Sequence, residues 1–275
     1  MLYSLYKGKE SIFFMKNGLN TGIKAFDEIV GEVQQGELIV IAGRPGMGKT
    51  TLALQILAKN CLDKNCVYLS STDNVTMCFK NIACILGNLN RYSNEKEVWE
   101  SVNEVIDCKL NKTLHLWTFD YDFISLSIEL TKLKTEKGID YVFIDGFQLF
   151  SHDISANLRA KWLKDLAVSL GVTIFITAQL KYSLFGDRID CTTVNYRLYY
   201  MADKVLGVYR KDYFMTIKDM EEIKKGESFL CAVKNNTGKQ GALTAYFNYA
   251  RCAFSENFID EDWYKPTPTI IANMD

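Results

Sequence analysis

The 275-residue chain lacks the features that mark several classes of protein. It has only three prolines, and no Pro-, Gly- or Ser-rich tract divides it, which argues against a linker between two full domains. No apolar run is long enough to span a membrane, and the N-terminal segment lacks the uninterrupted apolar stretch of a signal peptide. We therefore expect a cytoplasmic protein with one large core and no membrane partner.

Excess charge and paired cysteines are also missing. Lys and Arg number 32 against 33 Asp and Glu, so the chain does not coat nucleic acid by bulk positive charge, and any such contact has to come from a local patch. The eight cysteines include no CxxC pair. This predicts free thiols in a reducing compartment rather than a disulfide framework.

What the chain does contain is an alternation of short apolar runs with amphipathic segments. The runs predict strands at 37–43, 66–71, 113–119, 140–146 and 172–179, and the amphipathic segments predict helices at 49–60, 75–87, 123–138 and 154–171. The last helix is expected to bury Leu158, Trp162, Leu166 and Leu170. Three more strands follow, at 203–212, 228–235 and 242–249. The order predicts an α/β fold with a mainly parallel sheet, helices on both faces and an antiparallel edge formed by the late strands.

The strongest motif is a phosphate-binding loop between the first strand and the first of these helices. It fits G-x-x-x-x-G-K-[ST] and consists of Gly43, Arg44, Pro45, Gly46, Met47, Gly48, Lys49 and Thr50. Glycines allow the backbone N–H groups to point inward, and the helix N-terminus adds partial positive charge. Lys49 is expected to reach the β- and γ-phosphates of ATP, Thr50 to ligate Mg²⁺, and Thr51 to lie in the same nucleotide site.

Two polar residues end the strands that are expected beside this loop. Asp145 ends the fourth strand, where an acid can hold Mg²⁺ through water; the alternative is an ordinary strand-end or capping aspartate. Gln179 ends the fifth strand, where it can sense the γ-phosphate or serve as a plain polar strand end. All of these residues fall at the C-terminal edge of the predicted sheet, where ligands of such folds bind.

In this order, the segments resemble the helicase domain of DnaB-type replicative DNA helicases, a RecA-like family. The similarity covers about residues 18–255. It is carried by "NTGIKAFDEIVGEVQQGELIVIAGRPGMGKTTLALQ", "YVFIDGFQLF", "ISANLRAKWLKDLAVSLGVTIFITAQL", "ADKVLGVYRKDYF" and "CAVKNNTGKQGALTAYFNYARCAFSE".

The resemblance implies a ring, usually a hexamer, with ATP bound between neighbouring subunits and single-stranded DNA tracked by central loops. It also implies other replication proteins as partners. Residues 18–255 would be the RecA-like ATPase domain, 1–17 an arm that packs on a neighbour and 256–275 a C-terminal tail. No room remains for the N-terminal helical domain of that family.

Two departures from the family concern hydrolysis. Thr72 falls nearest the position of the family's catalytic glutamate, so Asp73, the only carboxylate nearby, is the candidate base. In the terminal hairpin the family has Lys-x-Arg, which reaches into the neighbour's nucleotide site. Here Lys234 keeps the lysine, while Asn236 replaces the arginine finger. Arg210 and Arg251 are the candidate substitutes.

The family's DNA-contacting loop follows the fifth strand and is shorter here. Arg197 matches the family's arginine, and Lys181 and Arg188 are further predicted DNA contacts. Tyrosines lie between them, which suits base stacking or, alternatively, a contact between subunits. Three functions therefore stay open: an ATP-dependent helicase with weakened hydrolysis, a hydrolysis-deficient regulator or ring partner, and a RecA-like recombinase. The Gln-Leu and Tyr-Arg segments favour the first over the third.

Overall fold

A computed structural model describes residues 18–70, 75–87, 89–90, 96, 100, 113–118, 122–149, 154–180, 193–214 and 225–258. Its strands are β1 Leu38–Gly43, β2 Cys66–Ser70, β3 Leu114–Thr118, β4 Tyr141–Asp145, β5 Thr173–Gln179, β6 Lys204–Arg210, β7 Glu227–Asn235, β8 Gly241–Asn248 and β9 Ala253–Ser255. Its main helices are α1 Lys24–Val30, α2 Lys49–Asn60, α3 Val75–Gly87, α4 Phe123–Lys137, α5 Ala156–Leu170 and α6 Tyr196–Met201. Short 3₁₀ turns cover Phe147–Leu149 and Lys211–Phe214.

The described strands form one sheet in the order β3-β2-β4-β5-β1-β6-β7-β8-β9. Strands β1 to β6 are all parallel to their neighbours, and β7, β8 and β9 run antiparallel. The predicted α/β fold is confirmed. The edge assignment was wrong for β6, which lies parallel to β1 near the centre, because Asp203 donates its N–H to Leu38 O at 2.8 Å and Lys204 pairs with Ile39.

Apolar residues cover both faces of the sheet. One face packs against α1, α2 and α3, with Phe26, Leu57 and Ile82 fully buried. The opposite face packs against α4, α5 and α6, where Leu163 and Leu198 are fully buried. Strands buried on both faces read as continuous apolar runs, and this is why the five early strands could be located from sequence.

Helix α5 presents a different face to the sheet than the leucine spacing predicts. Leu158 is 60% exposed, whereas Ala160, Leu163 and Ala167 are buried. The two alanines allow the helix to approach the sheet closely, and this face therefore packs inward instead of the one that carries Leu158. Trp162 is only half-buried and meets Phe123 of α4 edge to face, with ring centroids 3.8 Å apart.

Two further expectations concern thiols and membranes. The six cysteines within the described ranges are free: Cys61, Cys66, Cys78, Cys84, Cys231 and Cys252. In the described part of the chain, no helix combines the length and the apolar character needed to cross a bilayer. The predictions for residues 1–17 and for most of the tail fall outside the described residues.

Candidate nucleotide-binding site

The loop between β1 and α2 has a backbone that only glycine tolerates at two positions. Gly46 and Gly48 have φ angles of 75° and 95°, in the left-handed region that L side chains rarely adopt. A Cβ on Gly43 would lie 2.8 Å from the carbonyl oxygen of Val208, too close for any side chain. Met47 is fully buried beneath the loop. The glycines of the motif are therefore required by the backbone and by close packing.

Lys49 stands at the first turn of α2 and folds back over the loop. Its Nζ donates to Arg44 O at 2.9 Å. Burial lowers the pKa of Lys49, and the Asp145 carboxylate nearby partly offsets that effect. Lysine in this position offers its ammonium to the space that the loop surrounds, as a phosphate contact requires.

Asp145 lies beside the loop, as predicted, at the end of β4. Thr50 Oγ1 donates to its Oδ2 at 2.8 Å. Two residues that sequence reasoning missed complete the arrangement: Tyr68 OH donates to Oδ2 at 3.2 Å and Thr177 Oγ1 donates to Oδ1 at 2.5 Å. These hydroxyls fix the carboxylate beside Thr50. A hydroxyl and a carboxylate are hard oxygen ligands, so the pair suits Mg²⁺.

Gln179 is placed at the same edge. It pairs with Gly43 in the β1–β5 register, its side chain is exposed, and its backbone oxygen accepts a hydrogen bond from Gln148 Nε2 at 2.9 Å. Gly43, Asp145 and Gln179 thus end adjacent strands at one edge, and the predicted clustering is confirmed.

A second feature that sequence reasoning missed is an aromatic and arginine cluster against the loop. Arg210 is 4% exposed, lies 4.4 Å from the ring centroid of Phe247, and also packs over Tyr249. Its Nη1 donates to Gly46 O at 3.4 Å. Tyr213 covers the other side of Gly46, because a Cβ on that glycine would meet the tyrosine ring at 2.1 Å. A Tyr-Arg pair at a strand end was the available signal.

The predicted residues of the terminal hairpin lie at the opposite edge of the sheet. Lys234 pairs with Val205 near the start of β6, whereas Arg210 at the end of β6 pairs with Ser228. Arg251 sits in the β8–β9 turn, next to Asn248, on the loop side of the sheet. Lys234 is therefore remote from the loop of its own subunit, and neither arginine lies beside Asn236.

The predicted DNA contacts are only partly described. Arg197 is exposed in the first turn of α6, between Tyr196 and Tyr200, which are 58% and 53% exposed and have ring centroids 4.5 Å apart. Lys181, Arg188 and the candidate base Asp73 lie outside the described residues. Their predicted roles stay predictions.

The sheet and the loop together define a nucleotide-binding α/β protein of the phosphate-loop class with a RecA-like strand arrangement. Residues 18–256 match the family model described as "DnaB-like helicase C terminal domain". The chain belongs to this family.

Named relatives agree with this assignment. The chain is 28% identical over 269 residues to a "Probable plasmid replicative DNA helicase" of Chlamydia psittaci, covering 88% of this chain and 56% of the relative. It is 26% identical over 258 residues to the "Replicative DNA helicase DnaB" of Buchnera aphidicola subsp. Baizongia pistaciae, covering 84% and 54%. The chain thus spans about half the length of the curated relatives it matches.

Solved structures show the same fold. One of them, the structure of an isolated ATPase domain, superposes with a TM-score of 0.76 at 21% identity, covering 94% of this chain and 97% of that one. A second structure, titled "The Structure Of A DnaB-Like Replicative Helicase And Its Interactions With Primase", has a TM-score of 0.75 at 21% identity and covers 92% of this chain and 65% of that one.

Proposed function

We propose that this chain is the ATP- and Mg²⁺-binding motor domain of a DnaB-like DNA helicase that moves along single-stranded DNA in replication. One observation carries the proposal: the Thr50–Asp145 hydrogen bond of 2.8 Å, formed next to a phosphate loop in a member of this family. It brings the two oxygen ligands of the proposed metal site together. RecA-like recombinases share the loop, but the family match favours the helicase.

The residues of the site divide the work of binding. Lys49 and the backbone N–H groups of the loop hold the phosphates, with Arg44, Pro45 and Thr51 at the rim. Thr50 would ligate Mg²⁺, and Asp145 would hold it through water, where the metal neutralises charge on the β- and γ-phosphates. Gln179, exposed at the end of β5, would sense the γ-phosphate.

Single-stranded DNA is the proposed polymer, bound by Arg197 with Lys181 and Arg188. The exposed stacked tyrosines beside Arg197 support this, because base–aromatic stacking and phosphate contacts are how such proteins hold single strands. We further propose a ring of identical subunits, six by resemblance, with residues 1–17 as an arm and 256–275 as a tail. A DnaB-like relative was solved together with its interactions with primase, and other replication proteins are proposed partners here too. The free thiols suit the cytoplasm.

A second candidate, a nucleotide-binding ring partner with slow hydrolysis, is favoured by the opposite-edge geometry. Arg210 is buried against its own phosphate loop and Arg251 lies on the loop side of the sheet, so both are remote from the hairpin position that Asn236 occupies. An arginine finger contributes about 10³–10⁵ in rate in related chemistry. We therefore expect ATP binding with slow turnover.

Steady-state ATP hydrolysis with and without single-stranded DNA tests the proposal. Turnover that DNA stimulates and that Lys49→Ala abolishes supports the motor. Tight ATP binding with no DNA-stimulated turnover supports the ring partner, and absence of ATP binding refutes both. If residual turnover exists, Asp73→Asn should remove it and leave ATP binding nearly unchanged. Asp63→Asn, another aspartate on the chain, is the control.

A further inference from the structure

The last turn of α6 is held by a side chain from a distant strand. Lys234 of β7 places its Nζ 3.1 Å from Tyr199 O, 3.1 Å from Tyr200 O and 2.6 Å from Ala202 O. The last carbonyls of a helix have no partner within the helix, and a cation there also interacts favourably with the helix dipole. An ammonium has three donors, so Lys234 satisfies three carbonyls at once.

The surroundings of Lys234 leave its charge to these carbonyls. The nearest carboxylate is that of Asp203, which already accepts hydrogen bonds from Lys164 Nζ at 2.6 Å and from Leu38 N at 2.8 Å. Burial lowers the pKa of Lys234, Asp203 offsets part of that effect, and Lys164 adds to it. The ammonium is thus partly desolvated, and its hydrogen bonds are made in a setting where they are strong.

Helix α6 depends on contacts at its two ends. It has six residues, far fewer than an isolated helix needs in water. At its start Asn195 Oδ1 accepts from Leu198 N at 3.1 Å, and Leu198 itself is fully buried. At its end Lys234 supplies the cap. Between these fixed points, Tyr196, Arg197 and Tyr200 face outward.

We propose that Lys234 is a positioning residue for single-stranded DNA binding: its ammonium caps α6 and thereby holds the outward face formed by Tyr196, Arg197 and Tyr200. The inference rests on the proposed function, in which this face contacts DNA. It assigns Lys234 a role within its own subunit. The role that the family resemblance implies, a contact to a neighbour's nucleotide, would have to draw on the same three donors.

The test uses the full chain and fluorescence anisotropy with a labelled oligo-dT at several salt concentrations. Lys234→Met removes the charge but keeps the length of the side chain. We expect it to weaken DNA binding about tenfold, since charge-assisted hydrogen bonds are lost, with the dependence on salt unchanged. Arg197→Ala should instead reduce the slope of log K against log salt by about 0.7, the value for one phosphate contact on a single strand. Lys234→Arg should retain most of the affinity, and Lys239→Met, an exposed lysine of the same hairpin, is the control.

A double-mutant cycle separates positioning from general stability. If Lys234 acts through the α6 face, the Lys234→Met and Arg197→Ala effects on DNA affinity are not additive. Hydrogen exchange of the α6 amides should rise in Lys234→Met, while ATP affinity at the other edge stays at the wild-type value. Additive effects, or unchanged DNA affinity in Lys234→Met, overturn the assignment. Unchanged DNA affinity with altered ATP turnover would assign the lysine to the neighbour's nucleotide instead. A wild type that does not bind the oligonucleotide refutes the proposed function itself.

Discussion

Replacing Asp145 by asparagine tests how the site holds Mg²⁺. The carboxylate accepts hydrogen bonds from Thr50 at 2.8 Å, Tyr68 at 3.2 Å and Thr177 at 2.5 Å. Asparagine keeps the size and one acceptor oxygen, so the fold should survive, but the charge that attracts the metal is lost. Changing a group that orients a metal's ligands costs about 10- to 100-fold in metal affinity, which corresponds to about 1.4–2.8 kcal/mol. We expect ATP affinity in the presence of Mg²⁺ to fall by that factor.

Without metal the expected sign is different. The substitution removes one negative charge beside the phosphates, so Asp145→Asn should bind ATP in EDTA as well as the wild type or better. Titration calorimetry in the two buffers measures both values. Tyr68→Phe is the control, since it removes one donor and keeps the charge, and it should resemble the wild type in both buffers. An equal loss of affinity with and without Mg²⁺ would mean that Asp145 shapes the loop and does not act through the metal.

Four further predictions follow from the described contacts. Lys49→Met should lower ATP affinity about 10- to 100-fold by calorimetry, because charge-assisted hydrogen bonds to phosphate are lost; wild-type affinity would contradict the loop assignment. Gly46→Ala should also lower it, because φ is 75° and the new Cβ would meet the Tyr213 ring at 2.1 Å; the double change with Tyr213→Ala relieves only the steric part. Burial raises the pKa of Asp27 from its ordinary 3.8 to about 6. The folded state then binds the proton more tightly than the unfolded one, so its contribution to stability is lost as pH rises from about 4 through about 6, and denaturant titrations of Asp27→Asn should show a flatter pH profile. Asn236→Arg should raise ATP turnover in the assembled protein, toward the factor of about 10³ that an arginine finger provides; unchanged turnover in an assembly of wild-type size would mean that the hairpin does not face a neighbour's site.

The phosphate loop and Asp145 could be found from sequence because each depends on a short local pattern. An apolar strand, a glycine-rich turn and a helix start are adjacent in the chain, and Asp145 ends its own apolar run. The hydroxyls that hold Asp145 could not be found in this way. Thr177 pairs with Asp145 only in the β4–β5 register, and Tyr68 comes from β2 on the other side of β4. Knowledge of strand order was the missing step.

Two other differences have the same origin in tertiary structure. The leucine spacing of α5 suggested that Leu158 is buried, but the close approach that Ala160 and Ala167 permit decides which face packs inward. The resemblance pointed Lys234 toward a nucleotide, whereas in the fold it meets α6 carbonyls from more than 30 residues earlier in the chain. Local patterns located the elements, and the meeting of distant elements decided these contacts.

The central position of β1 has a consequence for how the chain folds as it is made. This strand is buried along its whole length, yet its partners are synthesised late: Leu38 pairs with Ile174, and Ile39 with Lys204. At synthesis rates of about 5–20 residues per second, the roughly 135 residues between β1 and β5 take about 7–27 s to appear. During that time an apolar strand has neither of its neighbours, and loop closure over so many residues slows the pairing further. The middle of the sheet is therefore completed near the end of synthesis, and the nascent chain needs protection from other unpaired strands until β5 emerges.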